Sequence, residues 1–265
     1  MKPVQYNDIF GMTIAHLQIF LLVFIRMASV FMTAPLIGNA NVPVITKIGF
    51  AFLVAFIIYP VLDHTVVLPK QAMTYGMYIV SQIIIGVIIG YASYMIFAAI
   101  QLSGQIIDLQ MGFGIVNVLD PMSNTQVSII GQFQFILGVL IFLSINGHHV
   151  LFQAMTDSFR IVPLLKVGIT EDTASKLADL FVNMFIIAFK IAGPATLALF
   201  LTNVTLGFIA RTIPQMNVFL VGLPLNILVG LAAVMVSLPI IVNMFNALLT
   251  DMWNDIYYLM QSMRV

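Results

Sequence analysis

Two neighbouring histidines, His148 and His149, come closest in this chain to a metal or proton-relay site. Imidazole nitrogens bind transition metals and exchange protons near neutral pH. A metal site needs further ligands, however, and the nearest following carboxylate, Asp157, is eight residues beyond His149. The chain contains no cysteine, which excludes thiolate ligands, cysteine nucleophiles and disulfides. We therefore interpret the histidine pair as structural or interfacial, and we predict neither a metal nor a cofactor.

Other candidate chemistry is equally incomplete. The segment Gly112-Phe113-Gly114 lacks the lysine and the preceding strand that a phosphate-binding loop has. No acid and base share one face of an apolar helix at a spacing suited to hydrolysis. The 17 methionines are scattered along the chain, which is typical of adaptable packing. We predict that the protein is not an enzyme.

The composition indicates a membrane protein. Of the 265 residues, 61% are hydrophobic and 8% are charged, whereas soluble domains have about 25% charged residues. The formal net charge is zero, so no basic or acidic excess points to nucleic acid. The predicted fold class is all-α, built from apolar helices of an integral membrane protein.

Three cations interrupt the apolar stretches: Arg26, Lys190 and Arg211. An arginine near the centre of a membrane helix costs about 2.5–3.5 kcal/mol on insertion scales. Such a side chain therefore faces protein, an interface or a water-filled cavity. We predict that these residues serve assembly or are buried charges, and the alternative is that they line the path of a solute transporter.

The first half of the chain predicts three apolar elements. The run Ile9–Ala34 is long enough to span a bilayer. The uncharged run 48–62 is short for a span, which favours a half-crossing, re-entrant or protein-buried helix. The run 71–107 is either one long helix or a tight hairpin, and the pair Gly86 and Gly90 indicates close helix packing.

The second half predicts a long helix over Val127–Met155, followed by a polar connection over Asp157–Asp179. Thr170 begins the next helix, with acidic residues in its first turn. The apolar run Leu180–Ala210 is expected to be broken around Pro194.

A helical hairpin is predicted after that run. Its turn contains Pro214, Gln215, Asn217, Gly222 and Pro224. Its second arm is Leu225–Thr250, bent near Pro239, and a tail with an aromatic cluster begins at Asp251.

The most informative stretch is Gln110–Gln126, reading QMGFGIVNVLDPMSNTQ, which we call the central loop. Its glycines free the backbone, and Asp120-Pro121 favours a turn. The loop is nevertheless apolar, and non-helical backbone at membrane depth is tolerated only where protein buries it or where it lines a cavity. We predict that this loop lies inside an assembly and closes a passage.

Three segments resemble a known family: GFGIVNVLDPMSNTQVSIIGQF, FLSINGHHVLFQAMTDSFRIVPL and NVTLGFIARTIPQMNVFLVGLPLNILVG. They are similar to the FliR family of the flagellar type III export gate, and the resemblance extends over nearly the whole chain. It implies helices arranged in kinked hairpins, with a FliP-like part over residues 1–165 and a FliQ-like two-helix hairpin over residues 166–265.

The same resemblance implies partners and a location. FliP and FliQ would form a channel with this chain, and FlhB and FlhA type export proteins would adjoin it. The substrates would be unfolded flagellar proteins, and the site would be the basal body in the bacterial inner (cell) membrane. Contact with lipid is expected, and contact with nucleic acid is not.

The resemblance also implies that the central loop plugs the closed channel. The residues expected to form this plug are Met111, Gly112, Phe113, Gly114, Ile115, Val116, Asn117, Asp120 and Pro121. Phe113, Ile115 and Val116 would fill the lumen, and the two glycines would act as hinges.

Three alternatives remain open at the level of sequence. The chain could be the injectisome counterpart of the same family. It could be a self-contained transporter of ions or small solutes. The weakest alternative is an intramembrane hydrolase, because no nucleophile and base can be named.

Overall fold

The computed structural model describes residues 14–39, 42–62, 71–113, 128–165, 168–215 and 217–264. Within these ranges the chain forms seven α-helices and no strand. They are α1 (Ile14–Thr33), α2 (Val44–Ile58), α3 (Ala72–Met111), α4 (Ile129–Ser144), α5 (Gly147–Ile161), α6 (Glu171–Thr212) and α7 (Val218–Ser262). A short 3₁₀ turn, Tyr59–Val61, follows α2.

The prediction of an all-helical membrane protein is confirmed. Five of the described helices are long and apolar enough to cross a membrane, namely α1, α2 with its 3₁₀ turn, α3, α6 and α7. The pair α4 and α5 would count as a sixth crossing if it is one broken span. The run 71–107, for which the sequence allowed a long helix or a hairpin, belongs to the single 40-residue helix α3.

The chain divides into two compact units that interleave along the sequence. Unit 1 takes its described residues from 1–94, 148–178 and 252–265, and unit 2 takes its described residues from 95–147 and 179–251. This division follows spatial contacts. The predicted boundary near residue 165, which concerns similarity to two partner proteins, stays a prediction.

In unit 1, two glycines allow α3 to pack closely on α1. A Cβ at Gly86 would lie 2.6 Å from the carbonyl oxygen of Arg26, and a Cβ at Gly90 would overlap the side chain of Thr33. Small residues at a four-residue spacing let helix backbones approach in this way. The packing role predicted for Gly86 and Gly90 is confirmed.

Helix α2 has the predicted length of 15 residues but a different start. It begins at Val44, four residues before the predicted run, and the apolar segment 44–61 is long enough for a span. Lys47 does not interrupt the helix because its Nζ donates to the carbonyl oxygen of Gly38 at 2.9 Å. Much of the helix is exposed, including Phe52 and Phe56, so the protein-buried alternative is wrong, while the half-crossing and re-entrant alternatives stay predictions.

The predicted long helix over Val127–Met155 is also wrong. It is two helices, α4 and α5, bent by 73° at Ile145 and Asn146. Asn146 has φ 59°, the left-handed conformation that asparagine tolerates better than most residues. A Cβ at Gly147 would lie 2.5 Å from the ring of Phe142, so the close approach that follows the bend requires glycine.

Helices α6 and α7 form the predicted hairpin. In unit 2, the side chain of Asn226 donates to that of Asn203 at 2.8 Å, and Gly222 packs against Leu206. From the first pair to the second, the residue number falls on α7 and rises on α6, which is the pattern of antiparallel helices.

Helix α6 is continuous through Pro194, so the predicted break in Leu180–Ala210 is wrong. Proline removes one backbone hydrogen bond, but membrane helices tolerate it where neighbouring helices hold the chain. Here Ala192, Ala195 and Leu199, which flank the proline, are fully buried. This packing stabilises the helix across the missing bond.

The hairpin turn is shorter than predicted. Pro214, Gln215 and Asn217 lie between Thr212 and Val218, and the side-chain oxygen of Asn217 accepts from the backbone N–H of Leu220 at 3.4 Å. Gly222 and Pro224 lie inside α7 instead. A Cβ at Gly222 would come within 3.2 Å of the Leu206 side chain on α6, so the glycine allows close packing of the two helices. The expected separate tail from Asp251 is part of α7 too.

In unit 1, Thr170 caps α6 as the sequence predicted. Its Oγ1 accepts from the backbone N–H of Thr173 at 3.2 Å and donates to the carbonyl oxygen of Ser262 at 3.1 Å. Glu171 and Asp172 occupy the first turn, where they interact favourably with the helix dipole. Lys176 pairs with Asp255 at 2.6 Å, which joins the start of α6 to the end of α7.

Candidate functional site

The central loop leaves α3 through a Schellman motif. Gly112, with φ 91°, donates its N–H to the carbonyl oxygen of Leu109 at 3.3 Å. Phe113 donates to the carbonyl oxygen of Asp108 at 3.1 Å. These bonds and the left-handed glycine form the standard C-terminal cap of a helix. The loop therefore begins at a fixed point and in a fixed direction.

Asp108 also holds the other end of the loop. Ser128 donates its hydroxyl to the carboxylate of Asp108 and accepts the N–H of Gly131 at 2.8 Å. The same carboxylate accepts from the backbone N–H of Ile130 at 3.2 Å. Anionic groups are stabilised at helix N-termini, because the first N–H groups have no partner inside the helix. One carboxylate therefore joins the end of α3 to the start of α4.

We call this arrangement the loop root and define it by Asp108, Met111, Gly112, Ser128 and Ile130. Helices α3 and α4 cross next to it. A Cβ at Gly104 would overlap the backbone of Gly131, and Ser103 donates to the side chain of Gln134 at 2.7 Å. Close backbone contact and buried polar bonds thus fix the crossing.

A buried apolar cluster packs against the loop root. Met111 is completely buried and contacts α7 at Gly230, where a Cβ would lie 2.6 Å from the Cγ of Met111. The buried members of the cluster are Ile107, Met111, Ile130, Ala192, Ala195, Leu199 and Val234. Phe113 packs against this cluster and is partly buried. The two ends of an apolar loop are thus held at one place in unit 2.

Comparison with known proteins now identifies the family. A family model described as bacterial export proteins, family 1, matches residues 17–252. The flagellar biosynthetic protein FliR of Bacillus subtilis (strain 168) is 39% identical over 242 residues, which cover 89% of this chain and 93% of the relative.

The chain belongs to the FliR family. FliR of Escherichia coli (strain K12) is 29% identical over 87% of this chain and 88% of its own length. FliR of Aquifex aeolicus (strain VF5) is 29% identical over 92% and 94%. The resemblance stated from the sequence motifs is confirmed, and the protein is a membrane protein of the flagellar export family. These relatives are flagellar proteins by name, which favours the flagellar assignment over the injectisome.

Three of the predicted plug residues in this FliR-family chain fall within the structure. Met111 ends α3 and is fully buried, Gly112 is the helix cap, and Phe113 packs on the cluster. These residues hold the loop at its root. The remaining predicted plug residues lie outside the described residues: Gly114, Ile115, Val116, Asn117, Asp120 and Pro121.

Arg26 is the buried charge that the sequence predicted. In unit 1 its Nε donates to the side-chain oxygen of Gln82 at 2.7 Å, and its Nη1 donates to the carbonyl oxygens of Ser158 and Val162 at 2.9 and 3.0 Å. The guanidinium lies 4.4 Å from the ring centroid of Phe159. Since α5 ends at Ile161, the cation sits at the negative end of that helix.

Lys190 and Arg211 are exposed instead. Both lie on α6 in unit 2, and within the described part of the chain neither forms an ion pair. Arg26 therefore differs from them in surroundings, and the transporter alternative, in which all three line one path, gains no support. The assembly role predicted for these cations stays a prediction.

The histidine pair lies at the start of α5. The rings of His148 and His149 are 4.3 Å apart between centroids, and the Nδ1 of His148 is buried without a hydrogen-bond partner among the described residues. In the described ranges, no three His, Cys, Asp or Glu side chains come together as metal ligands would.

Sequence reasoning missed the polar half of the loop root. Asp108 directly follows the uncharged run 71–107, and no role was predicted for it or for Ser128. A signal was present, because Ser128 precedes an apolar helical run as a helix cap does. The missing information was the partner, since a carboxylate 20 residues away completes the cap.

Proposed function

We propose that this chain is the FliR subunit of the flagellar export gate and that its central loop plugs the closed channel. FliP and FliQ type proteins complete the channel, and FlhB and FlhA type proteins adjoin it. Unfolded flagellar proteins pass through it from the cytoplasm, at the basal body in the inner (cell) membrane.

The loop root is the observation that carries this proposal. A plug must stay in place while substrate is absent, yet its tip must move aside when a chain enters. Here both ends of the loop are held by Asp108 and by the buried cluster, while the loop between them is rich in apolar residues. An apolar constriction can hold back ions by excluding water.

The helical architecture supports the assembly part of the proposal. The 42-residue α6 and the 45-residue α7 are each about twice as long as the bilayer requires. Large apolar side chains, including Phe200 and Phe208, remain exposed along α6. Such surfaces favour further helices as neighbours. The two-helix hairpin after residue 166 is the proposed FliQ-like part, and residues 1–165 are the proposed FliP-like part.

The first prediction concerns assembly. Co-expression of this chain with FliP and FliQ of the same bacterium is expected to yield one large detergent-solubilised particle that contains all three proteins. The mass of that particle, measured by light scattering or native mass spectrometry, checks the result. A chain that runs as a monomer or homodimer whether or not the partners are present would contradict the export-gate assignment and favour solute transport.

The second prediction concerns the plug. Replacing Ile115 and Val116 with glycine leaves the loop root intact and is expected to raise ion leak through the assembled complex several-fold. Adding Phe113→Gly, or deleting residues 112–118, is expected to raise the leak further, because the first change removes the contact of Phe113 with the buried cluster and the second removes the Gly112 cap. Conductance of the complex in planar bilayers measures the effect.

Leu109→Ala is the matched control for the plug variants, because Leu109 lies in the last turn of α3, its apolar side chain is exposed, and only its backbone carbonyl, which alanine keeps, contributes to the helix cap. It should leave the leak at the wild-type value. Normal assembly combined with an unchanged leak in the Ile115 and Val116 double variant would refute the plug while leaving the assignment as a gate subunit in place.

A further inference from the structure

One side of α6 in unit 2 presents a continuous apolar surface that ends in a cation. We call it the α6 face and define it by Phe181, Val182, Phe185, Ile186, Phe189 and Lys190. The five apolar side chains are between 40% and 61% exposed. The rings of Phe181 and Phe185 meet edge to face at 5.2 Å between centroids, which gives the surface a defined shape.

Among the described residues, no carboxylate pairs with Lys190. Within the described residues the only ion pair joins Lys176 to Asp255 in unit 1. The sequence contains no acidic residue between Asp179 and Asp251, although Lys190 and Arg211 both fall in that stretch. The hairpin of unit 2 therefore carries two cations without internal compensation.

Lipid alone does not suit the α6 face. If Lys190 and Arg211 lie at the two surfaces of the bilayer, residues 191–210 between them span about 30 Å, which matches the hydrocarbon core. The aromatic residues of the α6 face then lie outside the hydrocarbon. They would be exposed to water unless protein covered them.

The opposite placement is unfavourable for the cation. If the α6 face is submerged, with Asp179 at the membrane surface, Lys190 lies about 16 Å deeper along the helix. A lysine there costs about 2.5–3.5 kcal/mol, and its side chain is too short to reach the surface. Tilting the helix does not place the whole run 180–210 inside the hydrocarbon core. The run is about 46 Å long, whereas a helix tilted by 40° fits only about 39 Å of its length into the core.

We propose that the α6 face docks an apolar helix of a partner subunit, and that this helix carries a carboxylate which pairs with Lys190. Such a partner satisfies both requirements, since its apolar side chains cover the phenylalanines and its acid compensates the cation. The inference rests on the proposed function, because the partner belongs to the export gate. It adds the chemistry of the contact and the residues that make it.

A second copy of this chain is a poorer occupant. The α6–α7 hairpin of another copy has no carboxylate between residues 180 and 250 to offer. Two copies in one membrane with the same orientation would pair their α6 faces about a two-fold axis along the membrane normal, which would bring their Lys190 residues close together, and like charges in contact are unfavourable.

The third prediction tests this docking with charge variants and a photo-crosslinker. Lys190→Met and Lys190→Glu are expected to lower the yield of the complex with FliP and FliQ by more than about tenfold, whereas Lys190→Arg retains most of it. Benzoylphenylalanine in place of Phe185, in wild-type cells, is expected to crosslink to a partner helix. In the Lys190→Glu background, changing the acid on that helix to lysine should restore the yield.

The possible results separate this inference from the proposed function. Formation of the complex at the wild-type level by both Lys190→Met and Lys190→Glu would overturn the docking and leave the gate assignment standing. Crosslinks to lipid alone, or to a second copy of this chain, would also overturn it. If no complex with FliP and FliQ forms even with the wild-type chain, the gate assignment fails, while a crosslink from position 185 to an acid-bearing helix of another protein still supports the docking. Unchanged thermal unfolding of purified Lys190→Met shows that the exposed site does not affect folding.

Discussion

Arg26→Leu is expected to destabilise unit 1 by about 3 kcal/mol and to reduce the yield of assembled complex in proportion. The guanidinium on α1 donates hydrogen bonds to two other elements of that unit, to Gln82 on α3 and to the carbonyl oxygens of Ser158 and Val162 at the end of α5. Leucine fills part of the volume but donates nothing. The Val162 carbonyl and the Gln82 side chain would then be left in a buried site without their donor.

The size of the effect depends on two opposing contributions. Burying a guanidinium that has no carboxylate partner is unfavourable, and its Nη2 has no hydrogen-bond partner among the described residues. Against this, hydrogen bonds to a charged donor each contribute about 1.5–3 kcal/mol, and the positive charge lies at the negative end of α5. The stacked ring of Phe159 adds a cation–π contact. The hydrogen bonds, the charge at the helix end and the cation–π contact all depend on the Arg26 side chain, and together we expect them to exceed the cost of burying it.

Arg26→Lys is the matched variant, because it keeps the charge and loses the planar fork. A lysine cannot reach Gln82 and the two carbonyl oxygens at once, so we expect an intermediate loss of stability. Thermal unfolding of the detergent-purified chain and the yield of the complex measure both variants. An Arg26→Leu chain that is as stable as wild type and assembles normally would show that the desolvation cost of the charge outweighs its hydrogen bonds.

The sequence predicted the large features of the fold because hydropathy dominates them. Long apolar runs predicted α1 and the α6–α7 hairpin and allowed α3 as one of two alternatives, and Thr170 was correctly predicted as a helix cap. The break at Asn146 was missed although an Asn-Gly pair marks it, because both sides of the break are apolar. The backbone conformation of a single residue can change the direction of the chain while the segments on both sides of it stay equally apolar.

Pro194 shows the opposite error. In water an internal proline usually ends or kinks a helix, but inside a membrane protein the alternative to helix is unpaired backbone in an apolar medium. The residues that decide the outcome are the buried neighbours Ala192, Ala195 and Leu199, whose contacts depend on tertiary structure. The local sequence shows the proline, but it does not show the tertiary packing that keeps the helix continuous across it.

The loop root depended on a pairing that local sequence could not supply. The central loop was recognised from its glycines, its Asp-Pro pair and its apolar character. Asp108 and Ser128 stand on either side of it, and only the close crossing of α3 and α4 at Gly104 and Gly131 brings them into contact. A long-range polar contact of this kind has no periodic signal.

Asp108→Ala is expected to raise the ion leak of the closed complex by the largest factor of any single substitution outside the loop. The change removes the acceptor for the Ser128 hydroxyl and for the Ile130 N–H, which is buried. An unpaired buried N–H costs about 1–3 kcal/mol, and loss of a helix cap costs about 1 kcal/mol. The start of α4 would then separate more readily from the end of α3, and the loop between them would leave its closed position more often.

Asp108→Asn and Ser128→Ala divide this effect into its parts. Asparagine keeps one acceptor oxygen, so its leak should fall between those of wild type and Asp108→Ala. Ser128→Ala removes the hydroxyl and keeps the contact between the carboxylate and Ile130, so it should also be intermediate. The conductance assay used for the loop variants ranks the three. Because Met111 and its cluster remain in all of them, the complex should still assemble, and a leak that stays at the wild-type value in Asp108→Ala would mean that the apolar cluster alone holds the loop closed.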